Sequence, residues 1–270
     1  MKGSWKIGRI AGVDAFVHWS FGLLIAWAGW SAWSGAGSLL AVALGIAFLL
    51  AVFGSVLLHE LGHALAARGY GVRTHSILLT PIGGIANLEG MPSAPRAELA
   101  IALAGPAVNV VIAASLALLL AMFGNGFGLV EGLVSGLMWA NVTLAAFNLI
   151  PAFPMDGGRA LRALLATRMG KHSATAIAVK LGKAVAIAMA IIGFFTNPML
   201  VLVAVFVWIA GSSEARAISA DVPGSWSSDV YARRDTAAWW DERYDEVDRW
   251  NRPRSNPPSV VLINGRLFYR

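Results

Sequence analysis

The sequence contains no cysteine in its 270 residues, which excludes disulfide frameworks, thiol nucleophiles and thiolate metal sites. It is also poor in charge. Asp, Glu, Lys and Arg make up 13% of the chain, where a water-soluble domain carries about 25%. The shortage falls mostly on one sign and one region: residues 1–211 hold 12 Lys/Arg but only 6 Asp/Glu, whereas the last 59 residues hold 9 of each. In place of charge there is apolar content, 57% of all residues. That excludes an ordinary soluble enzyme and places most of the chain in a lipid bilayer. A formal charge of +6 could suggest nucleic acid. Here the basic residues interrupt apolar segments, so they are read as orienting the chain in a membrane, with no nucleic-acid partner.

A membrane-spanning helix needs about 20 mostly apolar residues. Segments 16–33, 39–67, 97–123, 132–150, 174–195 and the shorter 198–211 fit that description. They predict an all-α membrane protein, a bundle of about six transmembrane helices. Lys2, Lys6 and Arg9 precede the first span; Arg68, Arg73 and Arg96 lie between the second and third; Arg159, Arg162, Arg168 and Lys171 lie between the fourth and fifth. The opposite connections carry no Lys or Arg, so both termini are expected on the cytoplasmic side of the cell membrane. Lys180 and Lys183, inside the fifth span, are expected to snorkel toward that surface. The first apolar segment carries Trp19, Trp27, Trp30 and Trp33 and no clear cleavage site, so it reads as a retained helix rather than a signal peptide.

Thr74–Leu88 mixes apolar residues with Pro81, Gly83 and Gly84 and reads as a short β-hairpin between the second and third helices. Residues 1–211 are expected to form the membrane domain and residues 212–270 a cytoplasmic C-terminal tail. The tail divides into a linker at 221–228, a short helix at 236–250 and a hairpin, Val260–Ile263 and Arg266–Tyr269. The Asn264-Gly265 pair between those strands suits a type I′ turn.

The decisive motif is His59-Glu60-Leu61-Gly62-His63 in the second helix. Residues four apart share a helical face, so both imidazoles can bind one Zn²⁺ while Glu60 takes a proton from a metal-bound water. At this composition roughly 0.002 accidental matches are expected, and two histidines and a glutamate at membrane depth are costly unless they function. A catalytic zinc usually takes three protein ligands. Without cysteine the third must be His, Asp or Glu. Outside the tail the remaining acids are Asp14, Glu89, Glu98, Glu131 and Asp156, and the other histidines are His18, His75 and His172. Asp156 stands out because the topology brings it to the depth of the two histidines. Pro151 and Pro154 break the helix before it, and Gly157 and Gly158 permit a tight turn after it. Asp156 could also cap a helix starting near Arg159. Asn141 and Asn148 lie two helical turns apart and aim at the same region; they are candidates for oxyanion or substrate-backbone contact, with an interhelical hydrogen bond as the plainer alternative.

His59-Glu60-Leu61-Gly62-His63 in one helix, with Asn148…Pro151…Pro154-Met155-Asp156-Gly157-Gly158 closing another, resembles the site-2 protease family of intramembrane zinc metalloproteases. The resemblance runs over most of residues 8–218. It takes in Val17-His18-Trp19-Ser20, Pro81-Ile82-Gly83-Gly84-Ile85-Ala86, Ala104-Gly105-Pro106-Ala107-Val108-Asn109 and Glu214-Ala215-Arg216. It implies one Zn²⁺ per chain held by His59, His63 and Asp156, with Glu60 as catalytic base. The implied reaction is hydrolysis of a peptide bond within or near the transmembrane segment of a membrane protein substrate. The Thr74–Leu88 hairpin resembles the family's re-entrant strand, which makes Gly83 and Gly84 candidates for holding substrate. The 97-residue interval from His59 to Asp156 leaves no room for a PDZ domain. The plan is similar to the six-span branch that includes the sporulation pro-sigma-factor protease. It departs from many members of that branch in that the tail is too short for a nucleotide-sensing CBS-domain pair. A metal carrier or a proteolytically silent relative are the competing readings; ionisable residues clustered at one end of the spans, and an intact Glu60, favour the protease.

Overall fold

The computed structural model describes residues 3–81, 83–90, 94–123, 128–219, 260–263 and 266–269. Strands β1 (Ser4–Ile10) and β2 (Val13–His18) come first, followed by helices α1 (Phe21–Ala36) and α2 (Leu39–Gly69). Strands β3 (Thr74–Thr80) and β4 (Gly83–Leu88) follow, then α3 (Pro95–Phe123), α4 (Leu129–Asn148), α5 (Asp156–Ala166), α6 (Lys171–Thr196) and α7 (Pro198–Ser219). Strands β5 (Val260–Ile263) and β6 (Arg266–Tyr269) pair antiparallel as a separate hairpin, with Val260 opposite Tyr269. The expected tail linker, tail helix and Asn264-Gly265 turn lie outside the described residues.

The helix boundaries follow local chemistry. Ser38 caps α2, its hydroxyl accepting from the Ala41 amide at 3.2 Å, and the left-handed Gly37 closes α1 at no steric cost. Pro95 and Pro198 open α3 and α7, where a missing N–H costs nothing. Four helices, α2, α3, α4 and α6, are long and apolar enough to cross a membrane; α7 has a shorter apolar stretch, Pro198–Glu214. Large apolar side chains point outward along them, such as Leu118 at 61% and Phe194 at 79% exposure, which only a lipid environment tolerates over so wide a surface. Where helices touch, small residues let backbones approach, as expected without a hydrophobic drive between helices. A Cβ on Gly193 of α6 would come within 2.9 Å of α7, and one on Gly182 within 3.1 Å of Ala152. Lys183 does not simply reach for the surface; its ammonium sits 5.0 Å from the ring centroid of Trp208 on α7.

Two sequence expectations are corrected. The chain is not all-α: β1, β2, β3 and β4 form one four-stranded sheet in that order. The hairpin expected between the second and third helices is therefore half of a sheet. The first helix also does not begin near residue 16. Val13–His18 is strand, antiparallel to β1 and parallel to β3, with Asp14 opposite Ser76 and Val17 opposite Leu79. Ala11 and Gly12 make the turn into it with φ of 51° and 89°, the pair of positive values that a type I′ hairpin needs. The apolar run from Phe16 is thus shared between a strand and α1, whose 16 residues span only about 24 Å.

The sheet sits against α2. Val13, Ile77 and Leu79 meet Leu61 and Ala64 in one buried cluster. Leu88 packs with Ala67 and with Ile101 of α3 in a second. At the other side of the site, Ala152 and Met155 from the irregular segment before α5 pack on Ala186 of α6 and Val207 of α7. These clusters hold the middle of α2 and the start of α5 in fixed positions.

Candidate metal centre

His59 and His63 lie one turn apart on α2, both 6% exposed, and Asp156, 7% exposed, is the first residue of α5. The two Nε2 atoms are 3.1 Å apart, and each is 3.1 Å from Asp156 Oδ2. Among the described residues these three form a grouping of metal-ligating type.

The hydrogen bonds behind the imidazoles determine what those atoms are. His63 Nδ1 donates to the Ile101 carbonyl at 2.7 Å; a carbonyl only accepts, so Nδ1 carries the hydrogen. His59 Nδ1 lies 2.5 Å from Asn109 Oδ1. The Asn109 amide nitrogen donates to Asn141 Oδ1 at 2.9 Å, and the Asn141 nitrogen donates to Ser55 Oγ at 3.1 Å and to the Leu137 carbonyl at 2.9 Å. The chain runs in one direction, so Asn109 Oδ1 accepts and His59 Nδ1 donates. Both Nε2 atoms therefore present lone pairs to each other and to a carboxylate oxygen. Three lone pairs converging in a buried space repel unless a cation lies between them. Donors 3.1 Å apart suit a centre about 2 Å from each, the distance of Zn²⁺ to imidazole and carboxylate. The residues fit the ion that the motif implies.

Three glycines make the approach possible. A Cβ on Gly105 of α3 would fall 2.2 Å from His63 Nε2 and 2.7 Å from His59 Nε2, and one on Gly62 would fall 2.9 Å from the Ala104 carbonyl. A Cβ on Gly157 would fall 2.3 Å from the Leu149 carbonyl. Gly157 and Gly158 serve as places of close backbone contact at the start of α5, rather than as a turn ahead of it. The helix begins at Asp156, with Met155 as its N-cap.

Glu60 turns toward β4. A Cβ on Gly84 would fall 2.4 Å from Glu60 Cγ and 3.0 Å from its Oε1, so the bare backbone of Gly84 gives Glu60 its place. β4 is an edge of the sheet, so one row of its backbone groups has no strand partner among the described residues. Gly83 opens that strand with φ of 146°. Asn148, the last residue of α4, donates to the Leu144 carbonyl at 3.0 Å. Asn141 reaches the metal group through Asn109 rather than directly. His75 is not part of the centre; its Nε2 lies 3.0 Å from Glu89 Oε1 at a half-exposed position.

Sequence reasoning quotes Gly105 and Asn109 only within the family resemblance and gives them no role, and it does not single out a buried triad centred on Arg162 of α5. In that triad Arg162 Nε donates to Glu98 Oε1 of α3 at 2.8 Å and Nη1 to Glu214 Oε1 of α7 at 2.6 Å, all three residues being at most 4% exposed. An isolated amide in an apolar span is a signal that could point to Asn109.

Comparison with known proteins gives a consistent picture. The family model described as "Peptidase family M50" matches residues 47–136 and 125–193. A zinc metalloprotease of Methanocaldococcus jannaschii is 41% identical over 180 residues, 65% of this chain and 51% of that protein. The solved structure of a site-2 protease from Methanocaldococcus jannaschii covers 79% of this chain and 95% of its own, at 37% identity and a TM-score of 0.56. Stage IV sporulation protein FB of Bacillus subtilis is 30% identical over 125 residues, 45% of this chain and 41% of that protein. The chain spans about half the length of the curated relatives that it matches over the longest stretches.

Proposed function

The chain belongs to peptidase family M50, the family of the site-2 proteases, and from that membership we propose that it is an intramembrane zinc endopeptidase. It cleaves a peptide bond within or near the transmembrane segment of a membrane protein substrate. The observation that carries this reading is the convergence of His59 Nε2, His63 Nε2 and Asp156 Oδ2 at mutual distances of 3.1 Å beside the carboxylate of Glu60. The proposed membrane domain, residues 1–211, crosses the cytoplasmic membrane about six times, with α1 and α7 completing the four long helices and both termini on the cytoplasmic side. Residues 212–270 are the cytoplasmic tail.

Bound by His59, His63 and Asp156, one zinc ion would supply the Lewis acid that polarises the scissile carbonyl and acidifies water. Glu60 takes a proton from the attacking water as its oxygen bonds to the carbonyl carbon. It returns that proton to the amine as the C–N bond breaks, leaving a carboxylate on the other fragment. Asn109 and Asn141 hold the His59 ring so that its Nε2 stays a lone-pair donor. A helical substrate must unwind before its backbone can reach the site. The free edge of β4 beside Glu60 pairs with the unwound segment as an added strand, with Gly83 and Gly84 keeping that edge clear. Asn148, at the end of α4, retains an amide hydrogen for the substrate backbone.

The test is Glu60→Gln. The purified variant is expected to keep its zinc while cleavage falls by about 10²–10⁴-fold. Comparing membrane proteomes of cells expressing the wild type and this variant identifies the substrate as the protein that accumulates uncut. A variant that still cuts with zinc bound would sink the assignment of Glu60.

A further inference from the structure

Helix α5 carries two arginines one turn apart, and they are in opposite situations. Arg162 is saturated between Glu98 and Glu214. Arg159 makes no hydrogen bond and no ion pair from its guanidinium among the described residues, and its Nε is buried without any partner. A guanidinium has five donors and cannot shed its charge in a protein, so a buried donor left empty is destabilising. Such an orphan invites a search for the anion that completes it.

Its position says where that anion arises. Arg159 follows Asp156 by three residues on one helix, which puts the two side chains on adjoining parts of one face. Burial, helped by the neighbouring Arg162, lowers its pKa on balance, and the carboxylates of Asp156, Glu98 and Glu60 act against that shift. It therefore stands between the metal centre and the Arg162 triad, within electrostatic reach of the catalytic base and yet bonded to neither acid. The triad does not need it for hydrogen bonding, since Arg162 already spans both glutamates.

We propose that Arg159 is a catalytic residue of the hydrolysis described above, receiving the negative charge that the reaction creates on the scissile carbonyl. This rests on the protease reading. When the water oxygen bonds to the carbonyl carbon, the carbonyl oxygen becomes an oxyanion. When the C–N bond then breaks, the same carbon keeps two oxygens as the carboxylate of the product. Both anions offer the planar or forked acceptor geometry that a guanidinium matches with paired hydrogen bonds. The neutral starting peptide does not, so the contact strengthens as the reaction proceeds, which is the requirement for catalysis rather than mere binding.

The assignment predicts a preference that can be read without turnover. The probe is a short apolar peptide, N-acetyl-Leu-Ala-Val-Ala, prepared as free acid and as C-terminal amide, titrated into the zinc-loaded full chain in detergent. Wild type is expected to bind the acid about tenfold or more tightly than the amide. In Arg159→Gln the ratio is expected to fall by about tenfold with zinc content unchanged. In Arg159→Lys, which keeps the charge but loses the fork, it falls about threefold. A wild-type protein with no acid preference, or an Arg159→Gln protein that keeps it, overturns the assignment. If Arg159→Gln does not fold, Arg159→Lys decides, and a wild-type ratio there overturns it. None of these outcomes touches the Glu60→Gln result, which alone decides the protease reading.

Discussion

Asn109 sits fully buried in α3 and meets His59 through a hydrogen bond of 2.5 Å, fixing both the ring's orientation and its tautomer. Replacing it with alanine leaves His59 Nδ1 without its acceptor and leaves Asn141 without its donor. Removal of such supporting hydrogen bonds typically costs 10–100-fold in metal affinity, and that loss is the expectation for Asn109→Ala, measured by competition with a chelator. An unchanged affinity would mean that packing alone orients His59. At this scale the two histidines and Glu60 are legible in the sequence because one helical turn brings them together. Asp156 is legible because acids are so scarce that few candidates remain. Asn109 is not, since its role depends on a partner 50 residues away and on the crossing of α2 with α3, which no local pattern encodes. Gly105 is hidden for the same reason: only the crossing shows that a single methyl group there would collide with both imidazoles.

Among the elements, β4 is the one whose chemistry depends on a missing side chain. Gly84 lies so close to Glu60 that a Cβ would overlap its Cγ at 2.4 Å, so Gly84→Ala must push either the strand or the carboxylate aside. The three ligating atoms are not involved. Gly84→Ala is therefore expected to keep its zinc while cleaving the substrate found with Glu60→Gln about 10²-fold more slowly, the usual consequence of a displacement near 1 Å at a reacting group. Equal rates would show that Glu60 can yield without cost. The β3–β4 hairpin can be read from Pro81, Gly83 and Gly84 between apolar runs. The β1–β2 hairpin is concealed, because Phe16 to Trp33 also satisfies the length and composition of a membrane helix. What decides against that helix is the parallel pairing of β2 with β3, a contact between residues about 60 positions apart. Composition distinguishes a strand from a helix poorly when both are apolar.

For the molecule as a whole, the Arg162 triad ties three separate parts of the chain together: α3 through Glu98, α5 through Arg162 and α7 through Glu214. Arg162 stands six residues after Asp156 on α5, so the triad anchors the short helix that presents that ligand. Two buried carboxylates around one guanidinium make the cluster sensitive to losing its cation. Arg162→Met leaves Glu98 and Glu214 without hydrogen-bonded compensation, and breaking a buried pair in this way costs about 3–5 kcal/mol. The single variant is expected to lower the thermal midpoint in detergent sharply and to weaken zinc binding, because α5 is then free to shift. Replacing all three residues by methionine removes the charges together with their desolvation cost. Such replacements are often neutral or stabilising, so the triple variant should melt well above the single one. If the triple variant is no more stable than Arg162→Met, the triad holds the helices by shape rather than by charge. If the triple variant recovers stability but not zinc affinity, the ionic geometry itself sets where Asp156 stands. That second outcome would explain why so charge-poor a membrane domain retains Glu98, one of its six acids, to hold the short helix on which Asp156 stands.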